Sequence, residues 1–305
     1  MAYEALDQDV VWVTVRPRVI KAPGAPKVAL AEALAKDWVE FWYQPKIDLR
    51  TRNIIGVETL ARVRHPLHGI LGPASFLPGA HKKSLATLAR RALNAALKEG
   101  MQLAAMGIRV RFAVNVPFEV ITDLSIRNIL RKYHSAGQQW PGIILDVPES
   151  ELLDNLDELR AISAALAADG VRFAMDDFGQ RLSSALDPKN RRSADKMVLD
   201  LFATLAHLKN EAIAEMKLDR KFVEDCGIDS QKATLCKLSV DLVHSMGSTA
   251  VAVGAQNAKD LRAVEEMDCD IGQGRVFGEA LSVTEFRNLI RGRIAAKSGA
   301  VRDAS

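Results

Sequence analysis

The chain has 305 residues, 48% hydrophobic and 26% charged, with a net charge of +3. That length suits one α/β barrel or two small domains, and so small a charge excludes an argument for nucleic acid or a charged membrane surface. No apolar run reaches the roughly 18 residues of a membrane span. The acidic start MAYEALDQDVV does not read as a secretory signal.

Residues 1–28 stand apart: β-prone VVWVTV leads into the basic, Pro-rich RPRVIKAPGAP, which reads as an arm or linker. From residue 29 to 292 strands and helices alternate. LAEALAKD is a short helix, and EFWYQPKIDL and IIGVETLARV are strands joined by a Thr-Arg-Asn turn, which predicts an antiparallel first pair. SLATLARRALNAALKEGMQLAAMG carries apolar residues at spacings of three and four and ends at Gly107, a helix. RVRFAVNV is a strand, and DLSIRNILRKYHSAG is an amphipathic helix ending at Gly137. GIILDV (strand), NLDELRAISAALAADG (helix) and VRFAMDD (strand) follow.

An irregular stretch precedes strand IAEMKLD, helix QKATLCKLSVDLVHSMG, strand TAVAVG, helix AKDLRAVEEMDCD and the QGRVFG segment. The last helix is VTEFRNLIRGRIAA, and residues 293–305 read as a flexible tail, KSGAVRDAS fraying. Strand–helix alternation at intervals of roughly 30 residues indicates a parallel barrel or open sheet.

Five of the apolar runs stop on a polar residue suited to a cation or a phosphate: Glu58, Asn115, Asp146, Asp176-Asp177 and Lys217. A sixth, TAVAV, stops on Val253. Polar strand ends opening onto one face favour the barrel, because barrel sites are assembled from many strand C-termini whereas open sheets use one switch point. The expected fold is therefore an α/β barrel with an oxygen-rich mouth that lacks one wall. Cys226, Cys236 and Cys269 form no CxxC pair and read as free thiols of a reducing cytoplasm. His65 and His68 lie in a Pro-bracketed loop without a second ligand pair, a poor zinc signature.

Eight motifs in order, YQP (43–45), VETLARVRHP (57–66), AVN (113–115), DVPES (146–150), MDDFG (175–179), MKLDRKFV (216–223), VAVGAQN (251–257) and DIGQGRVFG (270–278), resemble the EAL domain. That family comprises bacterial phosphodiesterases of cyclic di-GMP, and the resemblance spans about residues 30–290. It implies a modified TIM (β/α)8 barrel with one antiparallel strand. It also implies metal ligation by Glu58, Asn115, Asp146, Asp176 and Asp177, and places Lys217 beside the attacking water. Gln44, Arg62 and Gln273 would contact the nucleotide, and Glu149 would steady the loop after the Asp pair.

Such oxygen donors suit Mg²⁺ or Mn²⁺, and two ions can activate water for in-line displacement. The departures bear on that chemistry. Val253 and Gln256 stand where the family pattern has carboxylates, and Asp146 is one methylene shorter than the family's Glu. DFGQRLSS (177–184) replaces a Gly-rich loop, and an insertion follows at about 185–202, with Lys189, Arg191 and Arg192 close together. Arg275 stands where the family often has an aromatic residue.

The resemblance thus points to a degenerate, catalytically inactive EAL domain in the cytoplasm. It would act as a cyclic di-GMP receptor or a protein-interaction scaffold, with no cofactor. The alternative is an active phosphodiesterase using Mg²⁺ or Mn²⁺ to make the linear dinucleotide. The expected partners are cyclic di-GMP, a protein docking on the insert or N-terminal arm, and a second copy as a homodimer. Nucleic acid and membrane insertion are not expected.

Overall fold

The computed structural model describes residues 26–122, 124–134, 142–180 and 213–302. Nine strands are described: β1 (Val39–Asp48), β2 (Ile54–His65), β3 (Gly69–Leu71), β4 (Arg111–Asn115), β5 (Ile143–Pro148), β6 (Val171–Phe178), β7 (Ile213–Leu218), β8 (Thr249–Val253) and β9 (Ile271–Gln273). The order β1-β9-β8-β7-β6-β5-β4-β2 closes through a β1–β2 pairing, and β3 adds outside β2. The result is a closed eight-stranded barrel. β1 runs antiparallel to both β2 and β9, while the pairings from β2–β4 round to β8–β9 are parallel. The antiparallel first pair expected from the Thr-Arg-Asn turn is thus present.

Alternation along the strands sorts side chains between two layers, because successive residues of a strand face opposite sides. Val57, Phe112, Val114, Leu145, Phe173 and Met216 face outward into the main core beneath the helices. Their inward neighbours Ala113, Ile144 and Ala174 form a small separate cluster on the barrel axis. The outward layer carries most of the hydrophobic stabilisation, at about 1.5–3 kcal/mol for each large buried apolar side chain.

The helix Lys82–Ala105 buries Leu88, Ala89, Ala92, Leu93, Ala96, Leu97 and Leu103 against that layer, the stripe its three- and four-residue spacing predicts. Gly107, at φ +78°, supplies the left-handed turn after it. Its buried Glu99 receives both Arg287 Nε and Nη2 at 2.6 Å from the last helix, Val283–Arg302. This fork ties the helix packed on β2 and β4 to the last helix, which packs on β1.

Several details depart from the sequence reading. Residues 297–302 are not a frayed tail: the last helix continues to Arg302. Ala295, Ala296, Lys297, Ala300 and Arg302 are good helix formers, and one glycine costs only about 1 kcal/mol. A strand (β3) and a short helix, Glu149–Leu153, also appear where none was predicted, both too brief for periodicity to reveal. The arm of 1–25, Gly137 and the insertion at 185–202 lie outside the described residues. The three cysteines are free and buried, and no described helix is long and apolar enough to cross a membrane.

Candidate functional site

The parallel strands carry their polar C-terminal residues to one mouth of the barrel. Register sets the heights: Asn115 lies beside Asp146, Pro148 beside Asp176, and Val253 beside Gln273. From the antiparallel side, Gln44 pairs with Glu58. Of the residues singled out in the sequence, Gln44, Glu58, Asn115, Asp146, Asp176, Lys217 and Gln273 come together.

Glu58 is the hub. Asn115 Nδ2 donates to its Oε1 at 2.8 Å and Gln273 Nε2 donates to its Oε2. Gln273 Nε2 also lies 3.3 Å from Gln44 Oε1, and Gln44 Nε2 donates to the carbonyl of Gly278 at 2.9 Å. Lys217, 1% exposed, contacts Asp146 Oδ2 directly and lies 3.2 Å from Glu58 Oε1 and 3.7 Å from Asp176 Oδ1. A simple pairing of Lys217 with its neighbour Asp219 is not what forms. Asp219 instead accepts from Lys221 N at 2.9 Å and caps the turn after β7.

Charge states follow from this packing. Burial alone would discharge Lys217, but the surrounding carboxylates of Asp146, Asp176 and Glu58 outweigh it and hold the ammonium well above the ordinary lysine range. Burial likewise works against ionised Glu58, yet Lys217 and the Asn115 and Gln273 donors pull its pKa below the usual value. Asp146 is pushed up to about 7, chiefly by burial and against the pull of Lys217. Its Oδ1 is buried without a hydrogen-bond partner. Asp177 is pushed up to about 6 by burial, then by Asp176 and Asp219. Its backbone is left-handed, at φ +55°.

Arg62 lies farther up β2, 7% exposed, with its guanidinium 5.5 Å from the centroid of the Trp42 ring. Nη1 donates to the Ala61 carbonyl at 2.8 Å, while Nε is buried without a partner. Trp42 is a site residue the sequence reading missed. Its signal was its place two residues before Gln44, on the same face of β1. Arg64 is mostly exposed and forks onto Glu40 at 2.8 and 2.9 Å. Glu149 is buried at the start of its short helix. Arg275 is exposed and pairs with Glu279 at 3.6 Å.

The eighth wall differs from the others. Val253 presents only methyl groups, and Gly254 turns the chain at φ +94°. Gln256 folds back, its Nε2 donating to the Gly254 carbonyl at 2.9 Å. This donor set fits a divalent cation poorly. Glu58 has both oxygens engaged, Asp146 gives its Oδ2 to Lys217 and keeps only Oδ1 unpartnered, and Val253 contributes no oxygen. Among the described residues no three His, Cys, Asp or Glu side chains converge to hold a metal.

At the opposite end of the barrel a second polar cluster escaped the sequence reading. Lys46, 1% exposed, forms an ion pair with Glu215 at the floor of a cavity of about 460 Å³, which is lined also by Asp48, Arg111, Thr249 and Asp270.

A closed barrel with one antiparallel strand and a Glu-Asn-Asp-Asp-Lys-Gln mouth defines a modified α/β barrel with a polar, carboxylate-rich mouth. The EAL domain family matches residues 27–188 and 197–280, and the chain belongs to that family. A Pseudomonas aeruginosa protein named as a cyclic di-GMP phosphodiesterase is 25% identical over 296 residues, covering 95% of this chain and 47% of that protein. The bifunctional diguanylate cyclase/cyclic di-GMP phosphodiesterase MucR of the same species is 28% identical, covering 84% of this chain and 35% of MucR. The chain thus spans less than half the length of these relatives. A solved phosphodiesterase structure of MucR in complex with cyclic di-GMP superposes with a TM-score of 0.69 at 28% identity, covering 84% of this chain and 97% of that one.

Proposed function

We propose that this EAL domain binds cyclic di-GMP without hydrolysing it and acts in bacterial cytoplasmic signalling as a receptor or protein-interaction scaffold. The observation that carries this reading is the contrast between two halves of one mouth. The nucleotide-facing half keeps its groups. Arg62 is a guanidinium with an unpartnered Nε, suited to a phosphate, and Gln44 and Gln273 lie on the adjoining strands.

The half that would ionise water and neutralise the leaving group is depleted. Val253 and Gln256 supply no charge, and Lys217 is held by carboxylates. Each 1.36 kcal/mol of lost transition-state stabilisation is tenfold in rate, so a missing ligand worth several kcal/mol suffices to silence turnover. Related proteins named as phosphodiesterases and a neighbour in complex with cyclic di-GMP support the choice of ligand. A protein partner would dock on the insert or N-terminal arm, and a homodimer is one assembly open to the domain.

Isothermal titration of cyclic di-GMP, with EDTA and then with Mg²⁺ or Mn²⁺, tests this when the nucleotide is analysed afterwards by chromatography. Binding with intact nucleotide is expected, and loss of binding in Arg62→Ala. Binding that Arg62→Ala leaves untouched overturns the placement of the ligand. The second reading, an active phosphodiesterase, is favoured by the six retained positions Glu58, Asn115, Asp176, Asp177, Lys217 and Gln273. Metal-dependent formation of the linear dinucleotide that vanishes in Asp176→Asn would establish it.

A further inference from the structure

We infer that the cavity at the foot of the barrel is a second binding site, which takes a short zwitterion: a carboxylate and a primary ammonium joined by a few methylenes. The site lies at the N-terminal ends of the parallel strands. Arg111 and Thr249 are the first residues of β4 and β8, and Asp270 immediately precedes β9. It is at the other end of the barrel from the mouth, so it stands or falls independently of what the mouth binds.

The cavity of about 460 Å³ is of small-molecule size, and its charges do not all satisfy one another. Arg111 is exposed, and its guanidinium has no hydrogen bond or ion pair among the described residues. Lys46, 1% exposed, donates to Glu215 Oε2, and an ammonium has three N–H groups. Two cationic groups thus keep donors for a carboxylate. Asp270 accepts from Ala250 N and pairs with His244 Nε2, both at 2.8 Å and both through Oδ2. Its Oδ1 has no partner among the described residues and can receive an ammonium, with Thr249 on the neighbouring strand. The other two carboxylates are committed: Asp48 accepts from Thr51 N at 2.7 Å, and Glu215 holds Lys46.

Position separates the two free ends. The wall runs β4-β2-β1-β9 between Arg111 and Asp270, roughly 14 Å of arc at about 4.8 Å per strand. Ile55, Ile144 and Ile271 supply the apolar lining, which suits methylenes. A plain anion would meet the Asp270 carboxylate, and a plain amine would meet the Arg111 guanidinium. A molecule carrying both charges meets an opposite charge at each end.

Isothermal titration of β-alanine, γ-aminobutyrate and δ-aminovalerate into the full chain tests this, with propionate and propylamine as half-ligands. At least one amino acid is expected to bind saturably, with both half-ligands weaker by about tenfold or more. Arg111→Gln and Asp270→Asn each remove one charge-assisted contact, and each is expected to weaken binding by about tenfold or more. No saturable binding of the three amino acids at about 10 mM overturns the site. Propionate or propylamine binding as tightly as the best amino acid overturns the zwitterion. Binding that Arg111→Gln leaves unchanged overturns the placement. The Arg111 side chain is exposed and unpartnered among the described residues, so that variant keeps the fold; where Asp270→Asn does not fold, Arg111→Gln decides.

Discussion

Replacing Lys46 by methionine isolates the energetics of the buried polar end of the barrel. Lys46 and Glu215 form an ion pair with side chains 1% and 12% exposed. Glu215 lies in register with Ala174, and the pair lines the same cavity as Ile144. Methionine nearly matches the length of lysine but leaves Glu215 without its partner. Removing one member of a buried pair typically costs about 3–5 kcal/mol, because the remaining charge is stranded.

For a domain of this size about 1 kcal/mol moves Tm by roughly 2–4 °C, so a fall of about 6–20 °C is expected. Glu215→Leu alone should cost a similar amount. The double variant Lys46→Met/Glu215→Leu should recover most of the loss, since two apolar side chains replace two desolvated charges. Thermal unfolding followed by circular dichroism on the four proteins gives the coupling directly. Additive losses, or a Lys46→Met loss under about 1 kcal/mol, would refute the reasoning; water entering through the cavity would then be screening the pair.

Gly179 has φ +93°, and a Cβ there would lie 2.4 Å from the Phe222 ring. Gly179→Ala should therefore destabilise by about 2–4 kcal/mol from left-handed strain and overpacking, read as a shifted urea midpoint. Arg287→Ala strips the fork from Glu99, which is 3% exposed. A loss of about 1.5–3 kcal/mol is expected from the unpaired buried carboxylate, and Arg287→Lys should restore only part of it. Trp42→Leu removes the ring beneath Arg62. Cyclic di-GMP affinity should fall several-fold in a titration while the fold, followed by circular dichroism, is retained.

The barrel was legible because its strands announce themselves twice, as β-prone runs and as runs that stop on a functional residue. The apolar runs stop on Glu58, Asn115, Asp146, Asp176 and Lys217, and the fold gathers them, Glu58 from the middle of β2 rather than from a strand end. Their partners were not legible. Nothing local says that Lys217 reaches across the barrel to Asp146, 71 positions earlier, rather than to Asp219 two residues away. Strand parity does not decide this, since residues two apart share a face; what decides it is that Asp219 lies past the end of β7, in the turn where it caps Lys221. Lys46 and Glu215 were overlooked for a related reason. Each sits in a strand whose functional neighbour, Gln44 or Lys217, lies two residues away and drew the reading to the other end of the same face.

Val253→Glu tests how far the mouth has diverged. The residue ends β8 beside Gln273, so a glutamate there would add a carboxylate to a mouth where Glu58 and Asp146 already share one ammonium. The variant should lose about 1–3 kcal/mol of stability, from the lost β-branched side chain and from like-charge crowding. It should not gain hydrolysis of cyclic di-GMP, because Gln256 stays closed on Gly254, Asp146 stays bound to Lys217 and the loop after Asp177 is unchanged. Chromatography of the nucleotide after prolonged incubation with Mn²⁺ is the assay. Robust linear dinucleotide from this single change would show that only one carboxylate separated the domain from catalysis, and that the Lys217 network yields readily to an ion. A folded but destabilised and silent Val253→Glu protein would place the barrier in the network as a whole. In that case valine at 253 relieves a crowd of buried carboxylates that the mouth has no second cation to balance, and the loss of the eighth wall stabilises the site it disarms.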